Sequence, residues 1–249
     1  MKPARRHRPN SRPPSRPTGP TSELTIEAVG GEGDGVAAGP AFVPFTLPGE
    51  RVLAAGAGER RELVQVLQAS AQRVAPACPH FGTCGGCALQ HWALEPYLAW
   101  KVERLTGTLA RQQIEADILA PFAAGPATRR RVALHARRGN RDAARLGYKA
   151  RRSWDLVDIA VCPISDPAIQ AAIPALKRLA APLFEHPKSA PTLHVTLTAS
   201  GLDVDISGVE RKSGGLSADA RVQRSQRAAD ADFARVTLDG EVAYQARLP

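Results

Sequence analysis

The sequence lacks the long apolar runs that would place it in a membrane. No stretch approaches the roughly 18 consecutive apolar residues of a membrane-spanning helix, although 43% of the 249 residues are hydrophobic. The basic amino terminus has no apolar segment of the kind found in secretory signals, so the Arg5–Arg6 pair is not expected to direct export. We therefore expect a cytoplasmic, monomeric protein with no membrane partner.

Cysteine is scarce, and its placement is uneven. Three of the four cysteines lie in the segment CPHFGTCGGC, residues 78–87, and the fourth is Cys162. Because cytoplasmic thiols stay reduced, clustered cysteines in such a protein more often bind metal than form disulfides. The short spacing of Cys84 and Cys87 lets neighbouring thiolates converge on one metal centre, and Gly85-Gly86 lets the backbone fold closely around it.

Three interpretations of these cysteines remain open. They can be inert free thiols, although chance scatter would not place three of the four in one short segment. They can bind structural zinc, although the usual zinc pattern is two closely spaced pairs. An iron–sulfur cluster with four thiolate ligands is favoured, because a distant fourth ligand is normal for a cluster that joins two segments.

Acidic residues are too few to balance the basic ones. The chain has 33 Lys and Arg against 24 Asp and Glu, a formal net charge of +9, which favours a polyanionic partner. The excess is concentrated in residues 129–152, where Asp142 is the single acid. Arginine suits phosphate because its guanidinium donates two parallel hydrogen bonds. The candidate RNA-binding residues are Arg130, Arg131, Arg137, Arg138, Arg141, Arg145, Tyr148, Lys149 and Arg151.

Aromatic residues make up only 5% of the chain, and two of them, Tyr148 and Trp154, lie within or next to this basic segment. An aromatic ring can stack an unpaired base for about 1–3 kcal/mol, and sequence-specific RNA readers favour unpaired regions. The alternative is a positively charged hairpin that is merely solvated. Mutual repulsion of so many cations argues against that alternative, so we expect RNA as the partner.

The remaining pattern predicts a β-rich α+β fold. Residues 1–22 are expected to form a disordered basic tail, because they carry no acid and little apolar surface. Residues 23–77 contain short alternating runs with Gly and Pro turns, typical of a small OB-like β-barrel. Leucines at helical spacing predict a helix over 94–113, and alternation on both sides of Gly139-Asn140 predicts a hairpin within 129–152.

Two parts of the sequence, the cysteine segments and the region upstream of them, carry a family resemblance. CPHFGTCGGCALQHW, followed later by DIAVCPI, resembles the iron–sulfur RNA (uracil-C5-)methyltransferases. Upstream, LTIEAVGGEGDGVA and AFVPFTLPGERV are similar to the TRAM domain that opens many of these enzymes. The resemblance implies an enzyme that forms 5-methyluridine in 23S ribosomal or transfer RNA with S-adenosylmethionine. It implies a TRAM barrel over 23–77, an iron–sulfur region over 78–165, the remainder of an α+β domain over 166–249, and a [4Fe–4S] cluster held by Cys78, Cys84, Cys87 and Cys162.

The catalytic parts of this family are not found in the sequence. In the family they lie in a C-terminal Rossmann-like domain, whose motifs are absent here. If all four thiols bind iron, no cysteine remains as a nucleophile. We therefore expect no catalytic or S-adenosylmethionine-binding residue in this chain and no methyl transfer by the chain alone; S-adenosylmethionine would serve only a full-length enzyme. The apolar face of the helix over 94–113 is correspondingly expected to be exposed.

Two other functions compete with this one. The chain can be a stand-alone RNA-binding module that a cluster or a zinc ion stabilises, without catalytic activity. It can also be an electron carrier, although its cysteines do not show the tight C-x2-C-x2-C run of ferredoxins, and a strongly basic face is unusual for a carrier. The main hypothesis is the RNA-recognition and cluster-binding portion of a methyltransferase.

Overall fold

The computed structural model describes residues 19–140, 142–209 and 216–246. These residues form two compact units. The first comprises the described residues up to Val74 together with His91–Ile114, and the second comprises Ala75–Gln90 and the described residues from Glu115 onwards. Most of the predicted tail 1–22, and the candidate Arg141, lie outside the described residues. None of the helices in the described ranges is long and apolar enough to cross a membrane.

The first unit contains a curled antiparallel sheet. Its strands are β1 (Thr21–Val29), β2 (Asp34–Ala37), β3 (Ala41–Pro44), β4 (Arg51–Ala55) and β5 (Glu62–Gln68), in the order β3-β2-β1-β4-β5. The curl brings the edge strand β3 to the residues before β5. Phe42 N donates to Glu59 O at 2.6 Å, and Arg61 N donates to Phe42 O at 2.9 Å. The predicted small β domain is therefore present, although β1 begins inside the range assigned to the tail.

Helix α1 (Leu94–Arg111) belongs to the first unit, whereas the sequence interpretation grouped it with the cysteine region. The reason is local hydrogen bonding. Val74 N donates to His91 O at 2.9 Å, which closes the chain around segment 75–90, and Trp100 Nε1 donates to Val29 O at 3.0 Å. The helix buries no residue fully. Leu94 and Leu105 are exposed, as expected for this apolar face, while the other leucines of the helix are partly covered.

The second unit is built on a seven-stranded mixed sheet. Its strands are β6 (Arg131–Arg137), β7 (Arg145–Lys149), β8 (Leu156–Asp158), β9 (Thr192–Thr198), β10 (Gly201–Ser207), β11 (Arg235–Leu238) and β12 (Glu241–Gln245), in the order β12-β11-β10-β9-β6-β7-β8. The β6–β7 hairpin matches the hairpin predicted within 129–152. Strands β10 and β11 are parallel, which requires a crossover, and helix α3 (Ala218–Asp230) supplies it.

The core of the second unit lies between one face of this sheet and the helices. Helix α2 (Pro167–Ala180) begins after Asp166, whose side chain accepts a hydrogen bond from Ala168 N, an arrangement that satisfies a helix amide otherwise without a partner. Leu176 and Leu179 of α2 are fully buried in the same core as Leu146 of β7. Alternation along the strands places their polar residues on the opposite face. That polar face, at β6, β7 and β9, is the surface on which the arginines at the alternate positions of β6 and β7 lie.

Candidate metal and RNA sites

All four cysteines line one pocket in the second unit. Cys78, Cys84 and Cys87 come from the loop before α1. Cys162 comes from the turn after β8, in which Ser165 N donates to Cys162 O at 2.9 Å. Cys162 is buried and the other three are half-buried. The fold thus brings together residues that lie far apart in the sequence.

Backbone hydrogen bonds hold the cysteine loop against strand β7. Within the loop, Phe81 N donates to Cys78 O at 3.1 Å, and Cys84 N donates to His80 O at 2.9 Å. At its tip, Gly85 N donates to Lys149 O at 2.9 Å. A Cβ atom at position 85 would lie 2.8 Å from that same oxygen, closer than any side chain tolerates. Gly85 is therefore required for the approach of the loop to β7, a different reason from the closeness to a metal that the sequence suggested.

Electrostatics in the pocket disfavour four ionised thiols in the absence of a positive charge. Burial raises the pKa of Cys84, and the neighbouring Cys87, Cys78 and Cys162 raise it further. Burial also raises the pKa of Cys87, where a hydrogen bond from Gln90 acts in the opposite direction. Because thiolates are the metal-binding form, a cationic metal centre is what would relieve this mutual repulsion.

The other walls of the pocket suit a buried anionic group. Ile159, Val161 and Ile164 form apolar sides, and no Asp or Glu is among the lining residues. Arg129 brings a positive charge to the pocket and acts to lower the pKa of Cys87, against the larger effect of burial. Its backbone is held there because Arg129 N donates to Ile164 O and Asp166 N donates to Arg129 O, both at 3.0 Å.

Four thiols are a donor set for structural zinc as well as for an iron–sulfur cluster, and the structure does not itself show a metal site. Four thiols with apolar surroundings match the ligands of iron–sulfur clusters. Within the described part of the chain, no three His, Cys, Asp or Glu side chains are arranged so that they could hold one metal ion. What the structure shows is that all four cysteines line one shared pocket.

Some of the predicted RNA-binding residues share one surface. Arg131, Arg137, Arg145 and Lys149 occupy alternate positions of β6 and β7, opposite the buried residues of those strands. Arg137 pairs with Arg145 across the two strands. His135 lies on the same face, two residues before Arg137 and opposite Gly147. Burial, followed by the charges of Lys149 and Arg137, lowers the pKa of His135. We call Arg131, His135, Arg137, Arg145 and Lys149 the cationic face.

The structure places the other candidates elsewhere. Arg138 donates to Phe184 O and lies over the Phe184 ring at 5.9 Å, on the helical side of the sheet. Arg130 donates to Leu197 O at 3.1 Å, and Arg151 lies in the turn after β7.

Tyr148 faces the cysteines. Its hydroxyl lies 3.9 Å from Cys162 Sγ, and burial, followed by Cys162, raises its pKa. Tyr148 is therefore a half-buried wall of the pocket and does not belong to the cationic face.

Sequence reasoning missed several residues of the pocket and could have assigned one of them. The alternation along β7 puts Tyr148 on the same face as the buried Leu146, and this pattern alone indicates that its ring points away from the cationic face. His80 lies within the cysteine segment, which made it a possible pocket residue, whereas nothing in the sequence marks Arg129 as one. His80 accepts a hydrogen bond from Ala160 N at 3.4 Å through Nε2, a contact between distant segments that only the fold creates.

Comparison with known proteins gives the chain its relatives. No family model matches it. It is 62% identical over 232 residues to a protein of Caulobacter vibrioides named an uncharacterized RNA methyltransferase, which covers 91% of this chain and 56% of the relative. The chain is a relative of RNA methyltransferases. A Brucella suis RNA methyltransferase, also uncharacterized, is 40% identical over 233 residues, 92% of this chain and 54% of the relative.

A further RNA methyltransferase relative has a defined activity in its name. The 23S rRNA (uracil(1939)-C(5))-methyltransferase RlmD of Halomonas elongata is 41% identical over 180 residues, which is 67% of this chain and 35% of that protein. The chain spans about half the length of the uncharacterized relatives described above. Its own activity, substrate and partners are therefore matters for proposal.

Proposed function

We propose that this chain is the RNA-recognition and [4Fe–4S]-binding portion of an S-adenosylmethionine-dependent RNA (uracil-C5-)methyltransferase. In this proposal the first unit is a TRAM-like barrel and the second unit binds both the cluster and the RNA. The substrate class is ribosomal or transfer RNA. S-adenosylmethionine would serve the methyl transfer of a whole enzyme, and the proposal assigns that step to none of the described residues. We further propose that the protein acts in the cytoplasm as a monomer.

The convergence of Cys78, Cys84, Cys87 and Cys162 on one pocket is the observation that carries this proposal. Free thiols have no physical reason to converge from such distant positions, and burial raises the pKa of two of them. A cluster bound by all four would supply a covalent tie between the cysteine loop and the turn after β8. Binding free energy of this kind adds to folding free energy.

The cationic face is the surface proposed for RNA. Its arginines and Lys149 stand on neighbouring strands, so a phosphate backbone lying across β6 and β7 would meet several of them. Contacts of this kind supply affinity that falls steeply as salt is raised. The names of the relatives support RNA as the polyanion.

Metal analysis tests the cluster directly. We expect anaerobically purified protein to contain about four irons and four sulfides per chain, since four thiolates are the usual ligand set of a [4Fe–4S] cluster. Replacing the distant ligand, Cys162→Ser, is expected to lower both contents sharply. Thr83→Ser is the matched control, because it lies in the cysteine loop and keeps the hydroxyl that donates to His80 O.

The outcomes separate the competing functions. One zinc per chain and no sulfide would favour the metal-stabilised RNA-binding module. Protein that contains neither metal nor sulfide under anaerobic conditions would contradict the cluster. Absence of RNA binding at low salt would contradict the RNA-recognition role, whichever metal is present.

A further inference from the structure

Trp154 is the most exposed tryptophan of the chain, and its ring lies beside a cation. It is 79% exposed, whereas Trp92 is buried and Trp100 is half-buried in the first unit. Lys149 Nζ lies 3.9 Å from the centroid of the Trp154 ring. Trp154 thus differs from an isolated exposed aromatic residue, because a cation lies over its ring and the basic segment adjoins it.

The turn that presents Trp154 is rigidly built. Ala150 N donates to Asp155 O at 2.8 Å, and Ser153 N donates to Ala150 O at 3.1 Å. The Ser153 hydroxyl donates to Asp155 Oδ2 at 3.1 Å and accepts from Asp155 N at 3.0 Å. These hydrogen bonds hold the residues immediately before and after Trp154. The ring is thus presented on an ordered backbone, which reduces the entropy lost when a ligand binds.

Two elements connect this turn to the rest of the second unit. On the inner side, the cysteine loop contacts the turn through its backbone. Gly85 N donates to Lys149 O, and Cys84 and Ala150 form an isolated antiparallel β-bridge. On the outer side, Lys149 contacts the Trp154 ring and belongs to the cationic face, where its charge acts on His135. Trp154 therefore stands at the edge of the proposed phosphate-binding surface.

We propose that Trp154 stacks on an unpaired base of single-stranded RNA, with Lys149 positioned for the phosphate beside that base. Charge selects this occupant: Lys149 Nζ lies over one face of the ring, and an RNA strand lying on the cationic face would bring its bases within reach of the exposed ring. Stacking on an aromatic ring accepts any base, so Trp154 would provide affinity for single strands in preference to duplex. The inference rests on the proposed RNA-recognition role and names the residue that distinguishes unpaired RNA.

Binding of fluorescein-labelled oligouridylate to the full chain tests the proposal. We expect Trp154→Ala to weaken single-strand binding by about 5- to 150-fold, the range that loss of one stacked base produces. Trp154→Phe should keep most of the affinity, because a smaller ring still stacks. Binding of a labelled A–U duplex should change little in either variant. RNA should quench the tryptophan fluorescence of the unmodified protein, and Trp154→Ala should abolish that quenching.

The matched control is Phe122→Ala. Phe122 is also an exposed aromatic residue of the second unit, at 93%, and it lies outside the basic segment. Its removal should leave RNA binding unchanged.

A second comparison separates this proposal from the general RNA role. If Arg131→Ala and Arg145→Ala weaken binding but Trp154→Ala does not, the stacking proposal is wrong and RNA recognition stands. If the unmodified protein binds no RNA, both fail. An equal loss of duplex and single-strand binding in Trp154→Ala would also overturn the stacking role.

Discussion

The buried ion pair between Glu50 and Arg73 should dominate the stability of the first unit. Glu50 is fully buried, and its carboxylate accepts four hydrogen bonds. Arg73 donates through Nε at 2.6 Å and through Nη2 at 2.7 Å, and the amides of Leu47 and Ser70 donate at 2.9 and 3.2 Å. Burial alone would raise the pKa of Glu50, but the hydrogen bonds and the charge of Arg73 hold it below its usual value.

Arg73→Met removes the cation and leaves the carboxylate buried. Two backbone amides remain as its donors, so an uncompensated charge stays in the interior, and we expect the free energy of unfolding to fall by about 3–5 kcal/mol. The loss should shrink in acid. Without Arg73, burial raises the pKa of Glu50 in the folded state above its unfolded value, so protonation favours folding as the pH falls.

Urea unfolding measured by tryptophan fluorescence tests this prediction in a Trp154→Phe background, because Trp92 and Trp100 then report on the first unit alone. The matched control is Arg51→Met. Arg51 pairs with Glu23 at 3.3 Å, and both side chains are more than half exposed, so its loss should cost less than about 1 kcal/mol. If Arg73→Met costs no more than Arg51→Met, the argument from burial is refuted.

Three further changes have definite expected outcomes. His91 is buried, and burial followed by the charge of Arg73 lowers its pKa to about 4. The unfolded chain therefore binds the proton more tightly than the folded chain. Up to about 3 kcal/mol of stability should be lost as the pH falls from about 6.5 to 4. Urea titrations at several pH values should show this slope disappear in His91→Gln but persist in His194→Gln, which alters an exposed histidine. Leu176→Ala removes a fully buried side chain and should cost about 2–5 kcal/mol in thermal or urea unfolding; Leu105→Ala, at an exposed position of α1, should change stability by less than about 0.5 kcal/mol, and equal losses would contradict the core described here. Asp166→Ala removes the cap of α2 and should cost about 0.5–2 kcal/mol, whereas Asp166→Asn, which keeps an acceptor for Ala168 N, should cost less; calorimetry of the two variants distinguishes a capping role from a purely electrostatic one.

Local patterns predicted the elements better than their partners. The turn residues Gly139-Asn140 marked a hairpin that is present, and Asn140 Oδ1 accepts hydrogen bonds from Asp142 N and Ala143 N in that turn. The partner of α1 could not be predicted, because Trp100 of the helix contacts Val29 and Ala93, just before the helix, contacts Gln72, both on the far side of the cysteine loop in sequence. The parallel pairing of β10 with β11 depends on the crossover through α3, which periodicity does not reveal.

At the candidate site, too, the sequence predicted some features and not others. The spacing of the cysteines, with the family resemblance, indicated one common site, and the structure places all four thiols on one pocket. The arginines were identified by charge alone, and charge does not distinguish the outer face of a strand from a helical neighbour. Arg137 and Arg138 are adjacent in sequence, yet one lies on the cationic face and the other reaches Phe184 O.

The hydrogen bond between Val74 and His91 has a consequence for how metal would enter and leave. It joins the residues at both ends of segment 75–90, and both of those residues belong to the first unit. Folding of the first unit therefore closes the loop that contains Cys78, Cys84 and Cys87. Closing this loop lowers the chain entropy that would be lost if its three thiols bound one metal centre. If the proposed cluster binds here, its assembly would mainly have to join this preformed loop to Cys162.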